Sequence, residues 1–444
     1  MMDRRQFLTA STAAGIAAAC PRFAGAVALD QPLTLEQAAA EAWIYGLMLI
    51  ENAQARQVAL DKHRSNELIH AQRLTTPATQ SVTTPNNDTL YSRVWLDLSA
   101  GPITLTMPEV GERYVSYAFM DMYGNNFAVL GSRTTGGGAA KVTIVGPEAA
   151  TTDPLAVRSP TRWSWLLIRL LIDDEADRAA ANTIQGRMKI EGPSLPKPAA
   201  FATRRAAWPE YFESVQRLLI ENPPPVSDLA FFRRVAALGL GPKGGFDAKK
   251  FSSAEGKAIE AGVASGRMRL SGGRAGRIAG GWVYPKSSIG NFGQDYLFRA
   301  QVALGGLAAL PPVEAMYMRP VASDGGNHLS SATDWLLHFD AGQLPPVDAF
   351  WSLTMYQVTP EGQYFFFDNP IDRYAIGDRT RGLQRGADGS LDIWISRNNP
   401  GGERAANWLP APSTDKFGLS LRAYLPKFEL LDGRYLLPAV VAAT

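Results

Sequence analysis

Sulfur chemistry has almost nothing to work with in this chain of 444 residues, which contains one cysteine, Cys20. If the segment holding it is removed, disulfides, zinc–thiolate sites, iron–sulfur clusters and cysteine nucleophiles are all excluded. Histidine is also scarce, limited to His63, His70, His328 and His338. Charge of one sign is missing: 44 Lys and Arg stand against 42 Asp and Glu, so nothing marks an electrostatic footprint for nucleic acid. A P-loop and a G-x-S-x-G elbow are absent. Long apolar runs are absent too, and the Ala-rich stretch ending at Ala19 is well short of the ~20 residues that span a bilayer.

That stretch belongs to an expected export signal. Asp3-Arg4-Arg5-Gln6-Phe7-Leu8 fits the core of a twin-arginine (Tat) signal, and Ala26-Val27-Ala28 offers a small-x-small cleavage site. Cleavage there would remove Cys20 and leave the charges balanced. Ala17 replaces the bulky residue of a lipobox, which argues against lipid anchoring at Cys20. The expected location is periplasmic or secreted, with no membrane span in the mature chain.

Glycine (41) and proline (30) are plentiful, as in chains of many short strands joined by turns. A length beyond ~300 residues calls for more than one core. The expected fold is mainly β with α segments, ordered as follows along the chain. Residues 1–28 form the signal and 29–85 a helical arm, opened by the capping box Thr34-Leu35-Glu36-Gln37. Residues 86–190 form a β-sandwich, 191–310 a helical region interrupted by Pro223-Pro224-Pro225, and 311–444 a second β-sandwich.

The candidate chemistry concentrates on a few loops and strand faces. TTPNNDTLY places Asn86, Asn87 and Asp88 between Pro85 and a strand whose core face carries Leu90, Val94 and Leu96, opposite Tyr91 and Arg93. Those amides and the acid are either substrate donors with an acid–base group or a turn, and a calcium site built on them is a further arrangement. Asp121 shares a strand face with Val115, Tyr117 and Phe119. It is either a desolvated general acid or a cap for the turn Tyr123-Gly124-Asn125-Asn126. Arg422 and Tyr424 lie opposite Phe417, Leu419, Leu421 and Ala423, an arginine beside an aromatic ring that suits an anion clamp. Asn407 and Trp408 offer an amide and an aromatic plate for a sugar or ring, or corner packing. Gly239, Gly241 and Gly244 match G-x-G-x-x-G in spacing but follow a helix, so a helix stop explains them. His63, Glu67 and His70 have the spacing of one helical face, read as solvated. His328 and His338 are each candidate bases or structural residues.

PNNDTLYSRVWLDL followed by RYVSYAFMDMYGNN resembles the module called domain of unknown function 1254. FWSLTMY, DNPIDRYAIGD, DGSLDIWI, NWLPAP and FGLSLRAYLP resemble its usual companion, domain of unknown function 1214. The resemblance implies an N-terminal immunoglobulin-like β-sandwich, a helical segment and a C-terminal jelly-roll-like sandwich, and it implies no established activity.

Three functions follow as expectations. The first is a periplasmic hydrolase or lyase acting on a polar or carbohydrate-like small molecule. It would use Asp88 or Asp121 as acid or base, with Asn86, Asn87, Tyr91, Arg93, Asn407, Trp408 and Arg422 binding substrate. The second is a non-catalytic binding protein for a glycan or small ligand, with a groove of Trp351, Trp394 and Trp408. The third is a structural envelope protein. No cofactor is implied, and the enzyme expectation requires the named groups to meet between the two β units.

Overall fold

The computed structural model describes residues 32–78, 83–271, 276–321, 329–414 and 416–443. The expected signal with Cys20, and His328, lie outside the described residues. Both ends of the described chain are sheet-rich and the helices lie mostly between them. Among the described residues no helix is long and apolar enough to cross a membrane.

The N-terminal sandwich pairs two antiparallel-rich sheets. One joins Ile69–His70, Thr89–Asp97, Trp163–Leu171, Val115–Asp121 and Asn126–Gly131 in that spatial order; the other joins Val157–Arg158, Ala140–Val145, Ile103–Met107 and Lys189–Glu191. Alternation along Thr89–Asp97 sends Leu90, Val94 and Leu96 into a core shared with Ile103, Leu105, Phe119, Ile168 and Leu170. The opposite face of that strand is also largely covered. Trp95 stacks on Trp165 at 5.0 Å, and both pack into the helical layer.

Helix Leu35–Leu60 is the centre of this layer. Its capping box forms as expected, with Gln37 N donating to Thr34 Oγ1 and Thr34 N donating to Gln37 Oε1. Helices Trp208–Glu221, Ser253–Ser271 and Tyr296–Gly305 pack around it. A Cβ placed on Gly262 would sit 2.1 Å from the Glu36 carbonyl oxygen, so the approach of Ser253–Ser271 to the first helix requires glycine there.

The C-terminal unit is a second two-sheet sandwich. Its larger sheet runs through Gly276–Ala279, Trp282–Pro285, Ala315–Pro320, Lys416–Pro426 and Val347–Val358, and its smaller one through Trp408–Pro410, Leu391–Ser396, Trp335–Phe339 and Val440–Ala442. Phe417, Leu419, Leu421 and Ala423 face the inner core with Leu353, Met355, Ile393 and Ile395. The other face of the larger sheet is turned toward the N-terminal unit.

Candidate functional site

Two sheet faces, one from each unit, meet at a polar seam. Cross-strand register in the N-terminal sheet sets Tyr91, Arg169 and Ser116 side by side, since Tyr91 and Ser116 both pair with Arg169. In the C-terminal sheet Tyr317 and Ser352 both pair with Arg422, and one row further on Ala315 and Phe350 pair with Tyr424. Arg169 lies within electrostatic reach of Tyr91 in its own unit and of Tyr317 and Tyr424 in the other. Tyr91 and Tyr317 keep part of their surface accessible, whereas Arg169, Arg422 and Tyr424 are buried.

The loop before Thr89 is what locks the two faces together. Asn86 Oδ1 accepts from the backbone amides of Asp88 (2.6 Å) and Thr89 (3.1 Å), closing the turn. Its Nδ2 donates to the Tyr424 hydroxyl at 2.5 Å. Tyr356 donates to the Pro85 carbonyl at 2.7 Å, and Thr84 N donates to the Tyr364 carbonyl at 2.8 Å. Thr84 itself has φ +56°, a costly conformation for a β-branched residue that these surrounding bonds hold in place.

Arg422 anchors the same loop from below. Nη1 donates to Thr354 Oγ1 at 2.6 Å; Nη2 donates to Tyr356 Oη at 2.7 Å and to the carbonyls of Thr84 and Pro85 at 3.2 Å. Asp88 accepts from Ser352 Oγ at 2.7 Å, and its other oxygen lies 3.8 Å from Arg379. Arg379 covers the Phe350 ring at 4.4 Å and also pairs with Asp173 at 2.9 Å. At the near edge, Tyr114 donates to Glu314 at 2.8 Å while packing edge-on against Tyr424, and Arg133 pairs with Glu314 at 2.7 Å. Burial pushes the Tyr424 phenol well above its ordinary range, so it stands as a neutral hydroxyl.

Asn86, Asp88, Tyr91 and Arg422 are thus brought to one place from positions far apart in sequence. Asn87 is half-buried beside them, and Arg93 is the exposed member of its strand face. Because Asn86 Oδ1 already receives two amides, it is not free to ligate calcium, and no cluster of three or more His, Cys, Asp or Glu side chains suited to a metal occurs among the described residues.

Other candidates lie elsewhere. Asp121 caps its own turn: its carboxylate accepts from Tyr123 N and Asn125 N at 2.9 Å and from Asn125 Nδ2 at 3.0 Å. Burial, countered by those bonds, pushes it up to about 6. Asn407 is a corner pin, with Oδ1 accepting from Gln384 N and Nδ2 donating to the carbonyls of Gln384 and Asp392. Trp408 is buried and donates to the Ser396 carbonyl, and Trp351 is buried in the core, so no aromatic groove links them with Trp394.

The expected helical face of His63, Glu67 and His70 is corrected. The helix ends at Leu60; Glu67 accepts from Arg64 N in a turn, while His70 sits on a short strand with Nδ1 2.7 Å from Ser92 Oγ. His338 is exposed between Asp392 and Asp340, which raise its pKa against the opposing effect of burial. Surface hollows of about 270 Å³ near Glu36 and Arg269 and about 350 Å³ near His63 and Lys197 involve none of the seam residues.

Arg169, Arg379, Ser352 and Glu314 also belong to the seam, and no sequence motif singles them out. Arg169 carried a signal: it is the one charge inside the apolar strand Trp163–Leu171, a position that burial makes costly without a purpose.

Residues 65–192 match a family described as protein of unknown function (DUF1254), and residues 314–428 match one described as protein of unknown function (DUF1214). The seam draws on both matched regions. Among solved structures, the chain is similar to the VPA0106 protein from Vibrio parahaemolyticus, at 23% identity and a TM-score of 0.70, over 93% of this chain and 100% of that one. That likeness concerns the fold. An uncharacterized protein from Burkholderia cenocepacia matches at 13% identity and a TM-score of 0.45, over 91% of this chain and 89% of that one. No curated protein matches.

Proposed function

The chain belongs to the DUF1254 and DUF1214 family of proteins of unknown function, and we propose that it is a small-molecule-binding protein whose ligand site is the seam between its two β units. One observation carries this reading. Arg169 Nη1, Ser116 Oγ and Arg422 Nε are buried and make no hydrogen bond of normal geometry, beside tyrosines that keep accessible surface. Buried donors are normally satisfied, and a cluster left unmet on one seam is a place for a ligand to supply the missing acceptors.

A hydrolase or lyase is the second reading, favoured by Asp88. Its carboxylate lies in the same seam, hydrogen-bonded by Ser352, where it would serve as acid or base toward a bound polar molecule. Asp121 has no such place, being closed into its own turn. The Arg4-Arg5 pattern supports export to the periplasm or beyond.

The test is a thermal-melting screen with glucose, glycerol, acetate, succinate, benzoate and inorganic phosphate at millimolar concentration. A ligand present at a hundred times its Kd adds ~2.7 kcal/mol of stability. At least one compound raises the melting temperature, and Arg422→Lys reduces that rise. A screen in which no compound shifts melting contradicts the proposal.

A further inference from the structure

Three guanidinium groups converge on the seam, from Arg169, Arg379 and Arg422. A guanidinium remains charged at any ordinary pH. Two of the three are almost wholly removed from water, Arg169 at 5% exposure and Arg422 at 3%. An uncompensated buried charge costs several kcal/mol, so the partners of these groups matter.

Those partners are neutral. Arg169 Nη2 donates to the Ala308 carbonyl at 2.9 Å. The four bonds of Arg422 end on two hydroxyls and two carbonyls. Asp88 is already held by Ser352 and stands 3.8 Å from Arg379, while Arg379 makes its close ion pair with the exposed Asp173. Arg169 and Arg422 therefore lack a close carboxylate partner of their own, although Asp88, Asp378 and Glu314 stand at the edges of the seam.

The hydrogen-bond inventory leaves donors unmet at the same place. Arg169 Nη1–H and Arg422 Nε–H have no acceptor. Ser116 Oγ, beside Arg169 in register, makes no hydrogen bond of normal geometry and has the Tyr114 hydroxyl as its neighbour. The Tyr424 oxygen accepts from Asn86, and the orientation of that amide is fixed by the two backbone N–H groups on Asn86 Oδ1. Its own O–H proton is then directed elsewhere. Donors exceed acceptors, which is what a bound anion would correct.

We infer that the seam binds a small organic carboxylate, its oxygens accepting from Arg169 Nη1 and Arg422 Nε and its carbon frame flanked by Tyr91 and Tyr317. This rests on the seam being the ligand site. A carboxylate presents about four lone-pair positions, which matches two guanidinium donors and two hydroxyls. Tyr91 and Tyr317, mostly buried aromatic side chains beside these donors, favour a ligand with a carbon skeleton over a bare inorganic anion.

Calorimetric titration of the purified protein with acetate, succinate, benzoate, benzamide, glucose and inorganic phosphate tests it. Benzoate and benzamide share one shape and differ in charge, so this comparison needs no variant. At least one carboxylate binds, and benzoate binds at least tenfold more tightly than benzamide. Arg169→Met lowers the affinity for the bound carboxylate at least tenfold; should that variant not fold, Ser116→Ala serves, with a several-fold loss expected.

Benzamide or glucose binding as well as any carboxylate overturns the anion inference but leaves the seam as a ligand site. Phosphate binding without any carboxylate overturns the class of ligand. Carboxylate binding unaffected by the variants places it elsewhere and overturns the inference. Absence of binding by every probe overturns both the inference and the proposed function.

Discussion

The side-chain amide of Asn86 donates to the hydroxyl of Tyr424 at 2.5 Å, joining positions 338 residues apart. One partner lies in the first matched region and the other in the second, so the asparagine of the Pro-Asn-Asn-Asp turn is a contact between units as well as a turn former. Asn86→Ala and Tyr424→Phe should each destabilise the protein, and the double variant should lose less than the sum. A coupling energy of ~1–2 kcal/mol is expected from denaturant unfolding of the four proteins. Additive losses would mean that the bond does not join the units energetically.

Asp121 predicts a pH signature. Its folded pKa of about 6 lies above the ordinary 3.8, so the folded state holds its proton more tightly than the unfolded state. The associated stability is fully present below pH 3.8 and is lost as pH rises through about 6. At 1.36 kcal/mol per unit, the stability of the wild type relative to Asp121→Asn should fall by ~2–3 kcal/mol between the two pH limits. A difference that stays constant across this range contradicts the assignment.

Asn407 and Trp408 are expected to matter for stability alone. Asn407→Ala removes three bonds to backbone groups and should cost ~2–3 kcal/mol. Trp408→Phe removes one bond and should cost about 1 kcal/mol or somewhat more. Neither change should alter ligand affinity by calorimetry; a tenfold loss would return this corner to the binding site.

Two of the three glycines of helix Ser253–Ser271 should behave oppositely to one another. A Cβ at Gly262 meets the Glu36 carbonyl oxygen, and Gly262→Ala should cost ~2 kcal/mol or more by forcing the helices apart. A Cβ at Gly256 would meet only the Trp208 ring at 3.5 Å, an ordinary contact, so Gly256→Ala should be neutral or stabilising by up to ~1 kcal/mol. Thermal unfolding separates the two, and an equal loss at both positions would contradict the packing argument.

Much of the fold was legible because alternation is a local property. Leu90, Val94 and Leu96 mark their core face, and Phe417, Leu419, Leu421 and Ala423 mark theirs. The seam was only partly legible. The sequence places Arg422 and Tyr424 away from their own core, but it does not say that another sheet covers them. Within the expected helical region, helix Ser253–Ser271 has a small, glycine-bearing face that gives little periodic signal, and Ser252 and Glu255 form a capping pair at its start.

The histidine spacing at 63 and 70 is ambiguous for a related reason. A seven-residue interval suits a helix, but the helix stops at Leu60, and His70 is instead set by pairing with Ser92. The apolar neighbours of Asp121 mark a buried face in sequence, but the three bonds that close its turn are set by the backbone around it. Asn407 and Trp408 look the same in sequence whether they bind a sugar or pin a corner; only the backbone groups around them decide.

The most direct measurement is amide hydrogen exchange of the wild-type protein with and without saturating benzoate, or whichever carboxylate binds best in calorimetry. A ligand between the units should slow exchange at 83–91 and at 417–424 together, one segment from each side of the seam. Protection confined to one of these segments, or found at neither while the ligand is bound, would contradict a binding site shared by the two units.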